Sequence, residues 1–187
     1  MNTAEYGLEL KFCQQGAVQL EGLRVEGYAS LFGLADQGGD VVQRGAYARS
    51  LERLAARGGS VKMLWQHDPG EPIGIWEEIR EDDRGLFVRG RLLPEVARAR
   101  EAAALIAAGA IDGLSIGYRT IAAGKDAQGR RSLMELELWE VSLVTFPMLR
   151  EARVAAKAGD IVGDRAGAAL QDLAGALREA TASLADR

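Results

Sequence analysis

One histidine, His67, and one cysteine, Cys13, are all that this chain of 187 residues has of either type, and each scarcity removes a class of protein. A lone thiol cannot form an internal disulfide. A zinc site wants three or four Cys, His or carboxylate ligands, so one His and one Cys leave room only for a carboxylate-bound magnesium, and no metal or cofactor is expected. Positive charge is also short. Lys and Arg number 23 against 27 Asp and Glu, for a net charge of -4, which gives no basic field to gather phosphates and argues against a nucleic-acid partner. No apolar run reaches the ~18 residues that would span a bilayer. The opening Met1-Asn2-Thr3-Ala4-Glu5-Tyr6 lacks the basic and apolar regions of a signal peptide, so the expectation is a cytoplasmic protein with no membrane partner. Neither a Gly-Lys-Ser/Thr phosphate loop nor a Gly-x-Gly-x-x-Gly follows a strand-like run, which excludes the commonest nucleotide-binding readings.

What is present suits one globular domain with a hydrophobic core: 48% of the residues are apolar and 27% charged. Residues 8–32 read as two strands, with Leu8, Leu10 and Phe12 alternating against Glu9 and Lys11, and a second run around 23–28. Residues 45–57 put Tyr47, Leu51 and Leu54 at helical spacing and stop at Gly58-Gly59. Val61 to Trp65 reads as a strand running into a Pro-Gly turn over 66–70, which sets His67 at a strand end. Segments 73–80 and 86–93 form a hairpin, 95–108 a helix ending at Gly109, and 111–118 a glycine-interrupted strand carrying Ser115. After a polar turn at 124–126, residues 132–146 form a last strand whose Leu136, Leu138, Glu140, Ser142 and Val144 are expected on one face. From Asp164 an Ala-rich helix carries a stripe of Leu170, Leu173, Leu177 and Leu184. The fold class is α+β, a closed or nearly closed antiparallel β-barrel with helices around it, and the division is 1–157 for the domain and 158–187 for a helical tail.

The chemistry follows from the histidine. A serine hydroxyl attacks well only if a base takes its proton, and an imidazole of ordinary pKa near 6.5 suits that task, so His67 is the candidate base. A carboxylate on its other ring nitrogen would fix the tautomer. Asp68 is adjacent in sequence, whereas Glu140 lies in an apolar strand where an unpaired charge would be costly, and Glu140 is favoured. Ser115, between glycines on a strand, is the favoured nucleophile among Ser30, Ser50, Ser60, Ser132, Ser142 and Ser183, with Ser142 its main rival. Gly113-Leu114-Ser115-Ile116-Gly117 also fits the nucleophile elbow of α/β-hydrolases, but in that fold the histidine follows the serine, and here it precedes it.

Four blocks in order carry a resemblance: Val25-Glu26-Gly27-Tyr28-Ala29-Ser30; Leu64-Trp65-Gln66-His67-Asp68 with Pro72-Ile73-Gly74; Asp112 to Tyr118; and Glu140-Val141-Ser142-Leu143-Val144-Thr145-Phe146-Pro147. Over residues 8–157 the chain resembles the prohead proteases of HK97-like tailed phages, prophages and gene transfer agents, distantly related in fold to herpesvirus assemblin proteases. The resemblance implies a β-barrel ringed by helices and a serine endopeptidase with His67 and Ser115 in the catalytic positions and Glu140 as third member. It also implies the N-terminal or scaffolding part of a major capsid protein as substrate, cut within the assembling procapsid, with self-cleavage; a homo-oligomer is left open by the sequence. The rival from another class is a catalytically silent scaffold module of the same fold that binds coat protein without cutting it.

Overall fold

The structure is a computed structural model, and it describes residues 9–13, 19–21, 23–36 and 38–145. The expected leucine-striped helix and the tail 158–187 lie outside the described residues. In chain order the elements are β1 (Glu9–Cys13), β2 (Gln19–Glu21), β3 (Arg24–Leu31), β4 (Val41–Val42), α1 (Ala48–Ala56), β5 (Lys62–Trp65), β6 (Asp68–Glu81), β7 (Gly85–Leu92), α2 (Ala97–Ala107), β8 (Gly113–Lys125) and β9 (Arg131–Val144). The strands make one sheet in the order β1-β8-β9-β5-β6-β7-β3-β2, with β4 also on β9.

The expected all-antiparallel barrel is instead a mixed-sheet half-barrel accompanied by two described helices. The reason lies in β9, whose long edge is shared. β4 pairs in parallel with its start, Val41 opposite Ser132, and β5 pairs in parallel with its end, Lys62 opposite Glu140. Between them α1 lies against β9 and covers the stretch of edge that neither strand reaches. There the Leu136 N–H donates to the Ala46 carbonyl at 2.8 Å and the Leu138 N–H to the buried Ser50 hydroxyl at 2.9 Å. An unsatisfied strand edge inside the protein would cost as much as lost hydrogen bonds, so Ser50 of the helix and Ala46 in the turn before it are part of the sheet's hydrogen bonding. The curl brings β1 close to β3, but among the described residues no pairing of β1 with β2 closes the ring.

Two departures from the expected pattern shape the site. On the β8–β9 ladder Gly117 lies opposite Glu140 but Tyr118 lies opposite Leu138, so Trp139 is an extra residue on β9. A bulge of this kind shifts the side-chain alternation by one. The five residues expected on one face are therefore divided. Leu138, Val141 and Leu143 face the core with Leu114, Ile116, Tyr118 and Met63. Glu140 and Ser142 face the other way, with Ser115 and Gly117 opposite them.

The second departure is the turn after β5. It is not built from Pro69 and Gly70, which belong to β6. Trp65 pairs with Asp68, so the turn consists of Gln66 and His67 alone. The hairpin 68–81/85–92, both helices and the strand at 113–118 fall close to where the sequence puts them, although β8 continues to Lys125.

Candidate active site

A two-residue hairpin matches the twist of its strands when both central residues have positive φ, a conformation that costs a residue with a Cβ about 1–2 kcal/mol. Gln66 (φ 52°) and His67 (φ 61°) both adopt it. Asn-Gly would do so at little cost, so the use of Gln and His demands anchoring from outside the turn. The end of β9 supplies it. The Gln66 N–H donates to the Leu143 carbonyl at 2.9 Å, and the His67 N–H donates to the Ser142 hydroxyl at 3.2 Å. The Gln66 side-chain amide donates to Thr145 Oγ1 at 2.5 Å, and its Oε1 accepts from the Thr145 N–H at 3.3 Å. The strained turn is thereby locked, and it delivers the imidazole to the face that carries Glu140.

There Glu140 Oε1 lies 2.6 Å from His67 Nδ1, with Glu140 4% and His67 9% exposed. A carboxylate only accepts, so the pair selects the tautomer with its proton on Nδ1 and makes Nε2 the basic nitrogen. Glu140 Oε2 accepts a hydrogen bond from the Ser142 hydroxyl at 2.5 Å. Both oxygens are thus paired, which offsets the cost of holding a carboxylate away from water. The side chain lies across Gly117: a Cβ at that position would sit 2.2 Å from Glu140 Oε1 and 2.9 Å from its Cγ and Cδ.

Of the residues singled out in the sequence, His67 and Glu140 meet directly. Ser115 is fully buried on the same face, directly opposite Ser142, and β1 runs along the other edge of its strand with Phe12 opposite it. Asp68, the rival acid, is exposed and its Oδ1 accepts the N–H of Gly70 at 2.8 Å, bracing the start of β6. Ser142, the rival nucleophile, donates a hydrogen bond to the carboxylate. Ser50 caps the edge of β9, and the exposed Ser60 accepts from Lys62 at 3.2 Å. The role of Gln66 and Thr145 was not legible in the sequence, nor was the space left by Gly117. Its place two residues after Ser115 was the available signal. Among the described residues no group of three or more His, Cys, Asp or Glu side chains could hold a metal ion, and no helix is long and apolar enough to cross a membrane.

The chain belongs to a family of phage proteases: residues 13–163 match the caudovirus prohead serine proteases. Among individual relatives, the prohead protease of Enterobacteria phage HK97 is 33% identical over 156 residues, covering 79% of this chain. The match spans 64% of that relative's length, less than two thirds. The bacteriophage T4 capsid assembly protease has the same fold, with a TM-score of 0.59 and 18% identity over 73% of this chain and 96% of that structure.

Proposed function

We propose that the chain is a serine endopeptidase that cuts the N-terminal or scaffolding segment of a major capsid protein inside the assembling procapsid, and that it also trims itself. Ser115 attacks the scissile carbonyl while His67 Nε2 takes the hydroxyl proton. Glu140 holds the Nδ1 proton and stabilises the imidazolium that forms, and backbone N–H groups near Ser115 receive the oxyanion. Collapse breaks the peptide bond, His67 returns the proton to the leaving amine, and water releases the acyl group by the same steps in reverse. The chemistry needs no cofactor. The likeness to herpesvirus assemblin proteases belongs to this reading, as a shared scaffold for a strand-borne serine.

The observation that carries the proposal is the 2.6 Å contact of the Glu140 carboxylate with His67 Nδ1 on the face where Ser115 lies, in a chain of the prohead protease family. A buried histidine that served packing alone would need no anionic partner and no strained turn. The test is mass spectrometry of a major capsid protein co-expressed with this chain. The native chain is expected to trim it at one bond, and Ser115→Ala and His67→Ala are expected to leave it whole. An intact capsid protein with the native chain would favour the scaffold module, and trimming that Ser142→Ala alone abolishes would move the nucleophile to Ser142.

A further inference from the structure

We propose that Ser142 and Gly117 are positioning residues that fix the plane of the Glu140 carboxylate against His67; the role rests on the triad reading above. The terminal torsion of a glutamate is broad and two-fold, so a carboxylate held by one bond swings. Glu140 is held at both oxygens, Oε1 by His67 Nδ1 at 2.6 Å and Oε2 by the Ser142 hydroxyl at 2.5 Å. The direction of the second bond is settled by chemistry. Ser142 Oγ already accepts the backbone N–H of His67 at 3.2 Å, and a carboxylate only accepts, so the hydroxyl proton points at Oε2. The result is a closed ring: Ser142 holds the backbone of the residue whose ring Glu140 holds, and holds Glu140 as well.

Gly117 contributes space. Its backbone is directly opposite Glu140, and the carboxylate lies where a Cβ would be, 2.2 Å from Oε1. Any side chain at 117 pushes Oε1 away from its place beside Nδ1. The bulge at Trp139 brings the set together, because it turns Glu140 and Ser142 toward the face that Gly117 leaves open. Ser142 is thereby assigned a task that explains its burial without making it a nucleophile.

The chain's single histidine makes this testable, since imidazole NMR of the 15N-labelled full chain reads one residue. Cleavage is followed on a peptide spanning the mapped capsid bond. Ser142→Ala, which removes a hydrogen bond to a charged group and little volume, is expected to lower kcat roughly 10- to 100-fold with KM unchanged, and to shift the Nδ1–H resonance. Gly117→Ala is expected to lower kcat about 100-fold with the same spectral change. If Gly117→Ala fails to fold, Ser142→Ala alone decides. Native kcat and an unmoved Nδ1–H resonance in Ser142→Ala would overturn the positioning role and leave the triad standing. A Ser142→Ala chain with no turnover and an unmoved resonance would make Ser142 the nucleophile and also overturn it. A Ser115→Ala chain that still cuts would remove the triad and the positioning role together.

Discussion

Exchanging Gln66 for alanine and, separately, for glycine distinguishes the strain in the histidine turn from the clasp that locks it. Gln66 is exposed, so burial contributes little. Both variants lose the two hydrogen bonds of its side chain with Thr145, each worth about 0.5–1.5 kcal/mol, and exposure puts the pair toward the lower end. Alanine keeps the cost of a Cβ at φ 52°. Glycine relieves that strain of about 1–2 kcal/mol and gives back about 0.5–1 kcal/mol in backbone entropy. The glycine variant should therefore be the more stable of the two by roughly 0.5–1 kcal/mol, a difference of about 1–4 °C in Tm for a chain of this size. Activity should not follow that order. Both variants free the turn from Thr145, and both should lose about tenfold in kcat through misplacement of the imidazole. Thermal unfolding by circular dichroism and turnover of a capsid-derived peptide give the two readings. An alanine variant as stable as the glycine variant would refute the left-handed turn, and native turnover in both would refute the clasp.

Glu140→Gln keeps the size of the side chain but loses the charge that stabilises the imidazolium, and should lower kcat by roughly 10³-fold in a peptide assay while circular dichroism shows the fold retained. Trp139 is the extra residue of the bulge, so its deletion leaves Leu138 opposite Tyr118 and Glu140 opposite Gly117 in a regular ladder with Glu140 still on the site face; gel filtration and circular dichroism should show folded protein for the deletion as for Trp139→Ala, and an unfolded deletion would refute the bulge. Burial alone would raise the pKa of Asp82, but the Tyr28 hydroxyl, the N–H groups of Arg84 and Gly85 and the Arg80 guanidinium hold it at about 2, below the ordinary 3.8. The folded-state pKa is the lower one, so this stabilisation is present above pH 3.8 and disappears as the pH falls to about 2. Asp82→Asn should lack that component in a series of unfolding midpoints between these pH values.

Alternation, helical spacing and glycine stops placed most strands and both described helices, because those signals are local. The serine-bearing strand and the histidine at a strand end were also legible, and the cost of an unpaired acid in an apolar strand pointed to Glu140 as the carboxylate that contacts His67. What escaped depended on partners distant in sequence. The alternation from Leu136 to Val144 looks unbroken, and the extra residue at Trp139 exists only relative to β8. Pro69 and Gly70 are strong turn formers, yet the pairing of Trp65 with Asp68 puts the turn at Gln66 and His67, where anchors on Leu143, Ser142 and Thr145 outweigh local preference. Parallel pairing of β4 and β5 on one edge of β9 likewise leaves no mark in either short strand.

The most direct test of the central claim is fluorophosphonate labelling of the full chain while it assembles with a major capsid protein, with the modified residue mapped by tandem mass spectrometry. One adduct is expected, on Ser115, that is lost in His67→Ala and sharply reduced in Glu140→Gln. An adduct on Ser142, or capsid cleavage by a chain whose Ser115 stays unlabelled, would contradict it.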